Sequence, residues 1–585
     1  MMQHNKYVLK NMFGAFFLAN VMSALMTQLG GLTDSIVVAH LVSPDALSVV
    51  RIWIPIESIM FIIIGIMSAG ADFLSARGIG AQNYDKVNRV FNNHLYYTIF
   101  STLLVICLVL PFLDEVAGML TSDERLLPML KPYIHADMSA IFIGAITGVP
   151  ISYIIINGSP NLVTRCIIIS QILNAGFDLL LCGVFDMGIA GAAYATAIGN
   201  LLAFTSLTGY MRKNSKIFGL KHPEKICSIK QYRECFSIGL PMLISAFLAP
   251  AIAFTMNSLV VDKLGADGMY LFTVYFQVNG ICMLALSGSN TAISNIGGIL
   301  LGEEDFDGFR MLTRHIFRWL MSLMLVVTLL IFLFPDGLAR IYGADDSLIE
   351  QCYTPFRLMS ITFLPNAISQ TLKELYFVQG HQKLCRWIEI VSNVGAIGII
   401  VVMALYTPEL IWYILPVTAW LLLLVMVAMA YVVHRKNQLY AWPTLENTVP
   451  SNPAVTFSVP YTSEGTEEFL AQVHPFIEAC ELPDGFAVDV ALEELLYEIM
   501  ETHETSNEDE TFDVRIIDKE KELTVVVKSK GPLRNPLYKY SDEEIMDMDE
   551  NNLRRAILSR LCKNINHKYM NGINCIYMNF CRNEA

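Results

Sequence analysis

The sequence predicts an all-α polytopic membrane protein, with twelve transmembrane helices in two six-helix lobes built as parallel repeats and a C-terminal cytoplasmic α+β domain behind them. Three observations predict it. Hydrophobic residues make up 54% of the 585 positions and charged residues 16%, with a mean hydropathy of +0.47, against roughly 25% charged in an ordinary soluble domain. The charge is also confined: from Ala441 onward there are 27 Asp/Glu and 13 Lys/Arg, which leaves 27 of each before it, so the whole net charge of -14 belongs to the tail. Finally, short segments recur in the same order at a period of about 221 residues. A simple soluble enzyme is excluded, and an acidic excess without a basic face argues against nucleic acid as a partner.

A span needs about 20 mostly apolar residues. Twelve stretches qualify: 12–38, 50–75, 93–113, 133–156, 163–184, 188–211, 236–261, 269–298, 315–335, 353–378, 386–406 and 411–434. Lys6 and Lys10 before the first stretch resemble the start of a signal peptide, but the apolar run continues through Asp34 without an A-x-A site, which reads as a retained first span. Basic residues set the orientation. Arg77, Lys86 and Arg89 follow span two, Arg212 to Arg233 follow span six, Lys383 and Arg386 follow span ten, and Arg435 and Lys436 follow span twelve. The opposite loops are acidic, with Asp114, Glu115, Asp123, Glu124, Asp336, Asp345 and Asp346. Both termini are therefore expected in the cytoplasm, with the chain in the plasma membrane. Twelve cysteines, none in a CxxC pair and several in apolar runs (Cys107, Cys182, Cys282), read as packing residues in a reducing compartment.

The repeat assigns the lobes. LVSPDAL at Leu41 matches LGADGMYL at Leu264, and GIGAQNYDK at Gly78 matches GILLGEEDFD at Gly298. YIHADMS at Tyr133 matches YTPFRLMS at Tyr353, NGSPN at Asn157 matches QGHQK at Gln379, and NAG at Asn174 matches NVG at Asn393. Six spans per repeat start both repeats on the same side, related by an axis along the membrane normal. The expected organisation is an N-lobe at 1–211, a cytoplasmic linker at 212–235, a C-lobe at 236–440 and a tail domain at 450–585.

LGGLTDSIVVAHLVSPDALS in span one, GIGAQNYDKVNR after span two, YIIINGSPNLV after span four, NAGFDLLL in span five and MGIAGAAYATAIGN opening span six carry a resemblance. They are similar to the multidrug and toxic compound extrusion (MATE) family, over about 430 residues and in both halves. The resemblance implies two lobes around a V-shaped cavity, export of small organic compounds, often cationic, and drive from a cation gradient. It implies no cofactor beyond a proton or sodium as the coupling ion, and no enzyme activity.

An ionised side chain at mid-membrane costs at least about 2.5 kcal/mol, so each needs a partner or a task. Asp34, Asp72, Asp137, Asp178, Lys373 and Glu374 are the candidates. The resemblance points to Asp34, Asn174, Asp178 and Thr196 as an N-lobe polar cluster that binds the coupling ion. Asn174 and Asp178 lie four apart, on one helix face. Two carboxylates in a low dielectric do not both stay ionised without a counter-charge, so the group suits one proton or, with an amide oxygen and a hydroxyl, a small hard cation such as sodium. Against this, Asp34 could simply bond a glycine-loosened helix, and Asp178 could face the outer side.

The remaining charges read more plainly. Lys373 and Glu374 point about 100 degrees apart on a helix and read as a pair snorkelling to the interface. Asp137 is expected to be solvated at the outer mouth, and Asp72 to serve the cytoplasmic gate. Phe254, Met256, Tyr275, Phe276 and Met283 are candidate substrate contacts through cation–π and adaptable thioether packing, with core or lipid-facing packing as the competing reading.

The tail alternates strand and helix signals: FSVPY, a helix from Ser463 to Cys480, a helix in GFAVDVALEELLYEIMETH, strands DVRIID and ELTVVVKSKG, a helix NNLRRAILSRLCKNI and strands in HKYMNGINCIYMNF. That order predicts helices on a mixed sheet. It resembles the anti-sigma-factor branch of the histidine-kinase-type ATPases, with eroded nucleotide motifs. Glu498 stands where a magnesium-holding Asn is expected, Ser529 where an adenine-reading Asp is expected, and bulky residues at Asn551 to Arg555 where glycines are expected. ATP binding is not expected, and a cytoplasmic protein partner is. The competing readings for the whole chain are a flippase for lipid-linked precursors or polysaccharides, for which the spans hold few basic residues, and a transporter-shaped sensor signalling through its tail.

Overall fold

The computed structural model describes residues 6–581 apart from 122, 124, 215–217, 220–228, 343–345, 407, 448–451, 481–484, 502–509, 521, 532–560, 563 and 571–572. In the first repeat, α1 (Lys6–Val37) runs through a π-helical turn (Val38–Val42) to α2 (Pro44–Gly80), whose first turn is capped by the Ser43 hydroxyl accepting from Ala46 N at 3.1 Å. α3 (Tyr84–Val109) and the short α4 (Leu113–Leu120) lead to α5 (Leu127–Ile156), α6 (Pro160–Asp178), a second π-helical turn (Leu179–Val184) and α7 (Gly188–Asn214). Their common core is built on Trp53, Leu130, Ile134, Tyr133 and Cys182.

The second repeat begins with α8 (Ile229–Ala292), which is two spans divided at Gly265, where φ is 64° and ψ -152°. α9 (Gly298–Gly302), α10 (Phe306–Leu333), α11 (Pro335–Ile341), α12 (Asp346–Ser360), α13 (Phe363–Val378), α14 (Gln382–Tyr406) and α15 (Ile414–Lys436) complete it. They pack around Met256, Phe272, Tyr275, Phe356 and Phe363. Eleven stretches among the described residues are long and apolar enough to cross a membrane. The twelfth, expected at 353–378, is α12 and α13 with a turn at Ile361–Thr362 between them. Pro365 accounts for the break, because a proline has no N–H for, and its ring clashes with, the carbonyl four residues back, here that of Ile361.

The repeat is visible in backbone detail. Gly158 and Gly380, in the matched turns between α5 and α6 and between α13 and α14, have φ of 87° and 92°, a left-handed conformation that glycine adopts without strain. Gln82 and Glu304 repeat one another with φ of 56° and 57°. The residue after each caps the next helix: Lys86 N donates to Asn83 Oδ1 at 3.1 Å, and Gly308 N donates to Asp305 Oδ1 at 2.9 Å.

The chain divides into two compact units, one of residues 16–303 and 313–447, the other of residues 1–15, 304–312 and 448–585. After the hairpin of β1 (Tyr440–Ala441) and β2 (Glu446–Asn447), the tail comprises β3 (Ala454–Pro460), α16 (Ser463–Ala479), α17 (Gly485–Glu501), β4 (Thr511–Asp518), β5 (Glu522–Lys530), β6 (Asn564–Met570) and β7 (Ile573–Cys581). The last five strands form one sheet in the order β3-β4-β5-β7-β6. Every neighbouring pair is antiparallel, which corrects the mixed sheet expected from sequence. The correction follows from the hairpin of β6 and β7, which returns β7 beside β5 without a crossover helix. The expected helix at 551–565 lies almost wholly outside the described residues.

One sheet face, with Phe457, Val514, Ile516, Val525 and Val527, packs on Phe469, Val473, Leu492 and Leu495 of the two helices. The other face is also buried, at Asp513, Arg515, Ile517, Thr524, Val526 and Cys575. Arg515 reaches across it within the same unit: its Nη1 lies 3.2 Å from Asp305 Oδ1 and 2.9 Å from Thr456 Oγ1, and its Nη2 donates to Glu304 O at 2.9 Å. Asn452 adds a bond to Glu304 Oε2 at 2.7 Å.

Candidate functional site

In the N-lobe, Asp34 lies one turn from the end of α1, and Asn174 and Asp178 occupy the last two turns of α6. The four-residue spacing turns both α6 side chains to one face. Asn174 Nδ2 donates to Asp34 Oδ1 at 2.7 Å and reaches Asp178 Oδ2 at 3.5 Å. Asp178 is fully buried and Asn174 nearly so, while Asp34 is partly exposed. The remaining oxygens, Asn174 Oδ1 and Asp178 Oδ1, are buried and have no hydrogen-bond partner. An unsatisfied buried acceptor is costly, and two side by side among carboxylates form a concave, oxygen-only set of the kind that takes a proton or a hard cation. Asp178 also immediately precedes the π-helical turn at Leu179–Val184, an irregularity often found at functional sites.

Thr196 in α7 bonds its own helix instead, donating to Ala192 O at 3.2 Å. The structure thus brings Asp34, Asn174 and Asp178 into one bonded group and turns the Thr196 hydroxyl to the backbone. The aromatic and methionine candidates divide. Met256 and Tyr275 are buried in the C-lobe core, where the Tyr275 hydroxyl lies 2.9 Å from Thr362 Oγ1, and Met283 packs against that core. Phe254 and Phe276 are exposed, at 74% and 44%.

Three expectations about charged residues meet a different structure or a sharper one. Asp137 is buried, because the Trp53 indole donates to its Oδ2 at 2.7 Å and shields it from the mouth where the sequence suggested solvation. Lys373 and Glu374 do point apart, yet Lys373 does not reach outward: its Nζ lies 2.9 Å from Glu389 Oε1, with side chains only 17% and 11% exposed. Arg77 follows Asp72 by little over a turn and ties α2 to the end of α13, donating from Nη2 to Val378 O at 3.1 Å with its guanidinium 5.0 Å above the Phe73 ring. At that end α2 and α9 pack so closely that a side chain on Gly80 would meet the Ile299 carbonyl. Glu389 was missed from sequence, although it stands four residues before Asn393, the repeat counterpart of Asn174.

Two helical lobes from a parallel repeat, meeting at one end and holding a buried oxygen cluster inside one lobe, define a multi-pass membrane carrier. The sequence profile of the MatE family matches residues 20–180 and 241–403, and the chain belongs to that family of transporters. Among curated relatives it is 25% identical over 249 residues to the multidrug export protein MepA of Staphylococcus aureus, the match covering 41% of this chain and 54% of that protein. MepA of Staphylococcus haemolyticus is 23% identical over 251 residues, with the same coverage. The matched segment thus spans about half the length of these relatives.

Solved structures share the fold. A MOP superfamily transporter from Pyrococcus furiosus superposes with a TM-score of 0.65 at 16% identity, covering 74% of this chain and 98% of that one. A mutant of the Vibrio cholerae MATE transporter VcmN does so with a TM-score of 0.67 at 15% identity, covering 74% and 98%.

Proposed function

We propose that the chain is a secondary active antiporter that exports small organic, cationic or amphipathic compounds, coupled to a proton or sodium gradient at the Asp34–Asn174–Asp178 cluster. The observation that carries it is the Asn174 amide bridging two carboxylates while two further buried oxygens stand unsatisfied. Such a group binds one monovalent cation or one proton at a time and releases it when the helices part, which is what coupling demands. The multidrug export named for the MepA relatives supports the substrate class. Thr196 is assigned as a further oxygen that joins the cluster when its rotamer turns from Ala192 O. Of the substrate candidates, the exposed Phe254 and Phe276 are placed to meet a ligand or lipid. The basic loops put both termini in the cytoplasm, where the tail acts as a regulatory, partner-binding module without nucleotide chemistry.

The test is uptake of an organic cation into proteoliposomes with sodium and pH gradients imposed separately. Stimulation by one of them, and its loss on collapsing that gradient, is expected. Transport indifferent to both would overturn the coupling.

A further inference from the structure

The C-lobe holds a second polar cluster built on the same repeat position. Asn393 in α14 corresponds to Asn174, and its Nδ2 lies 3.1 Å from Glu389 Oε2, one turn earlier. Where the N-lobe presents two carboxylates, the C-lobe pairs its Glu389 with Lys373 of α13 at 2.9 Å. The lysine is thus a tethered cation at the C-lobe counterpart of the coupling cluster. Beside it opens a cavity of about 350 Å³ between α8, α13 and α14, walled by Met242, Ala246, Ala249 and Phe377 and reaching Lys373, Glu374 and Glu389. That volume falls in the range of pockets that bury small organic ligands. Alanines on α8 leave the space, and Met242 and Phe377 give it adaptable and aromatic walls suited to a cation.

The charge count selects the ligand. Glu389 is already satisfied by Lys373 and Asn393, whereas Glu374, whose carboxylate bonds the Ser294 side chain, has no cation of its own in the pocket. With both carboxylates ionised, the cavity carries one negative charge more than positive. Buried charges are tolerated when paired, and one monovalent organic cation restores neutrality while a dication overshoots it.

We propose that this C-lobe cavity binds a single organic ammonium with Glu374 as its counter-ion, and that the Lys373–Glu389 pair fixes the stoichiometry by occupying the second cation position. The proposal rests on the export function above for its biological meaning, while its chemistry rests on the cavity alone.

Calorimetric titration of the full-length protein in detergent, with no gradient, tests it. The probes are benzyltrimethylammonium, its neutral isostere neopentylbenzene, and the dication hexamethonium. Wild type is expected to bind the monocation and to discriminate against the other two. Glu374→Gln should weaken the monocation about tenfold or more, the cost of roughly 1.4 kcal/mol in a lost charge pair. Lys373→Met, which leaves two carboxylates and no resident cation, should raise hexamethonium affinity about tenfold, and Lys373→Arg should keep the wild-type order. If Lys373→Met does not fold, the Glu374→Gln arm decides. Monocation affinity within twofold of wild type in Glu374→Gln, or equal binding of neopentylbenzene and the cation by wild type, overturns the proposal. Since no gradient is present, failure of the coupling reading leaves these outcomes untouched, and the two fail separately.

Discussion

Asn174 holds Asp34 against Asp178 across two helices, with its amide nitrogen 2.7 Å from one carboxylate and 3.5 Å from the other. A hydrogen bond to a charged group contributes about 1.5–3 kcal/mol, so Asn174→Ala is predicted to raise the half-saturating concentration of the coupling ion about tenfold or more. Initial transport rates measured against sodium concentration or pH in proteoliposomes check this. Wild-type ion dependence in the variant would detach Asn174 from the site.

Arg77 is predicted to keep one end of the two lobes closed. Arg77→Ala removes the bond to Val378 O and the contact over Phe73. Labelling of a cysteine placed at Ser294 by a membrane-impermeant maleimide should then speed up several-fold, and an unchanged rate would show that the glycine packing alone closes that end.

The pair of Arg515 and Asp305 is nearly buried, with side chains 9% and 4% exposed. Removing one partner of a buried pair strands the other charge at a cost of about 3–5 kcal/mol. Arg515→Ala should therefore accelerate amide exchange in β3 and β4 of the full-length protein, with Arg515→Lys intermediate because lysine cannot reproduce the fork to Glu304 O and Thr456. Exchange equal to wild type would mean that the surrounding apolar face carries the docking.

His567 gives the tail a pH dependence. Burial lowers its pKa below the usual imidazole range, against the opposing effect of its bond to Asn574 Oδ1 at 2.9 Å. The unfolded chain then takes up the proton first, so the stability from the neutral ring is present above about pH 6.5 and declines as pH falls towards the lowered value. Exchange in β6 and β7, corrected for intrinsic rates, should be faster at pH 5.5 than at pH 7.5, and His567→Gln should flatten the difference.

Much of this architecture could be read from the chain because span length and repeat order are one-dimensional signals. The matched turns at Gly158 and Gly380, and at Gln82 and Glu304, agree in φ to within a few degrees. The break at Ile361 was missed because hydropathy runs through it, although Pro365 marked it. Asp34, Asn174 and Asp178 were picked out in the sequence and lie together in space, whereas the partners of Lys373 and Asp137 were not legible. Glu389 and Trp53 come from other helices, and pairing between helices depends on packing angles that no local pattern records. The buried second face of the tail sheet escaped notice for a related reason: its alternation of Asp513, Arg515 and Ile517 reads as a half-solvated strand until Asp305 is found opposite.

The central claim is that the carboxylates of the N-lobe couple transport to an ion gradient, and Asp34→Asn tests it most directly. In one set of proteoliposomes, gradient-driven uptake and gradient-free substrate counterflow are measured for wild type and variant, since an amide keeps the shape of the carboxylate but carries no charge to exchange. The account predicts that Asp34→Asn loses gradient-driven uptake to background while counterflow persists. Uptake by Asp34→Asn at the wild-type rate, with the wild-type dependence on the gradient, would contradict it.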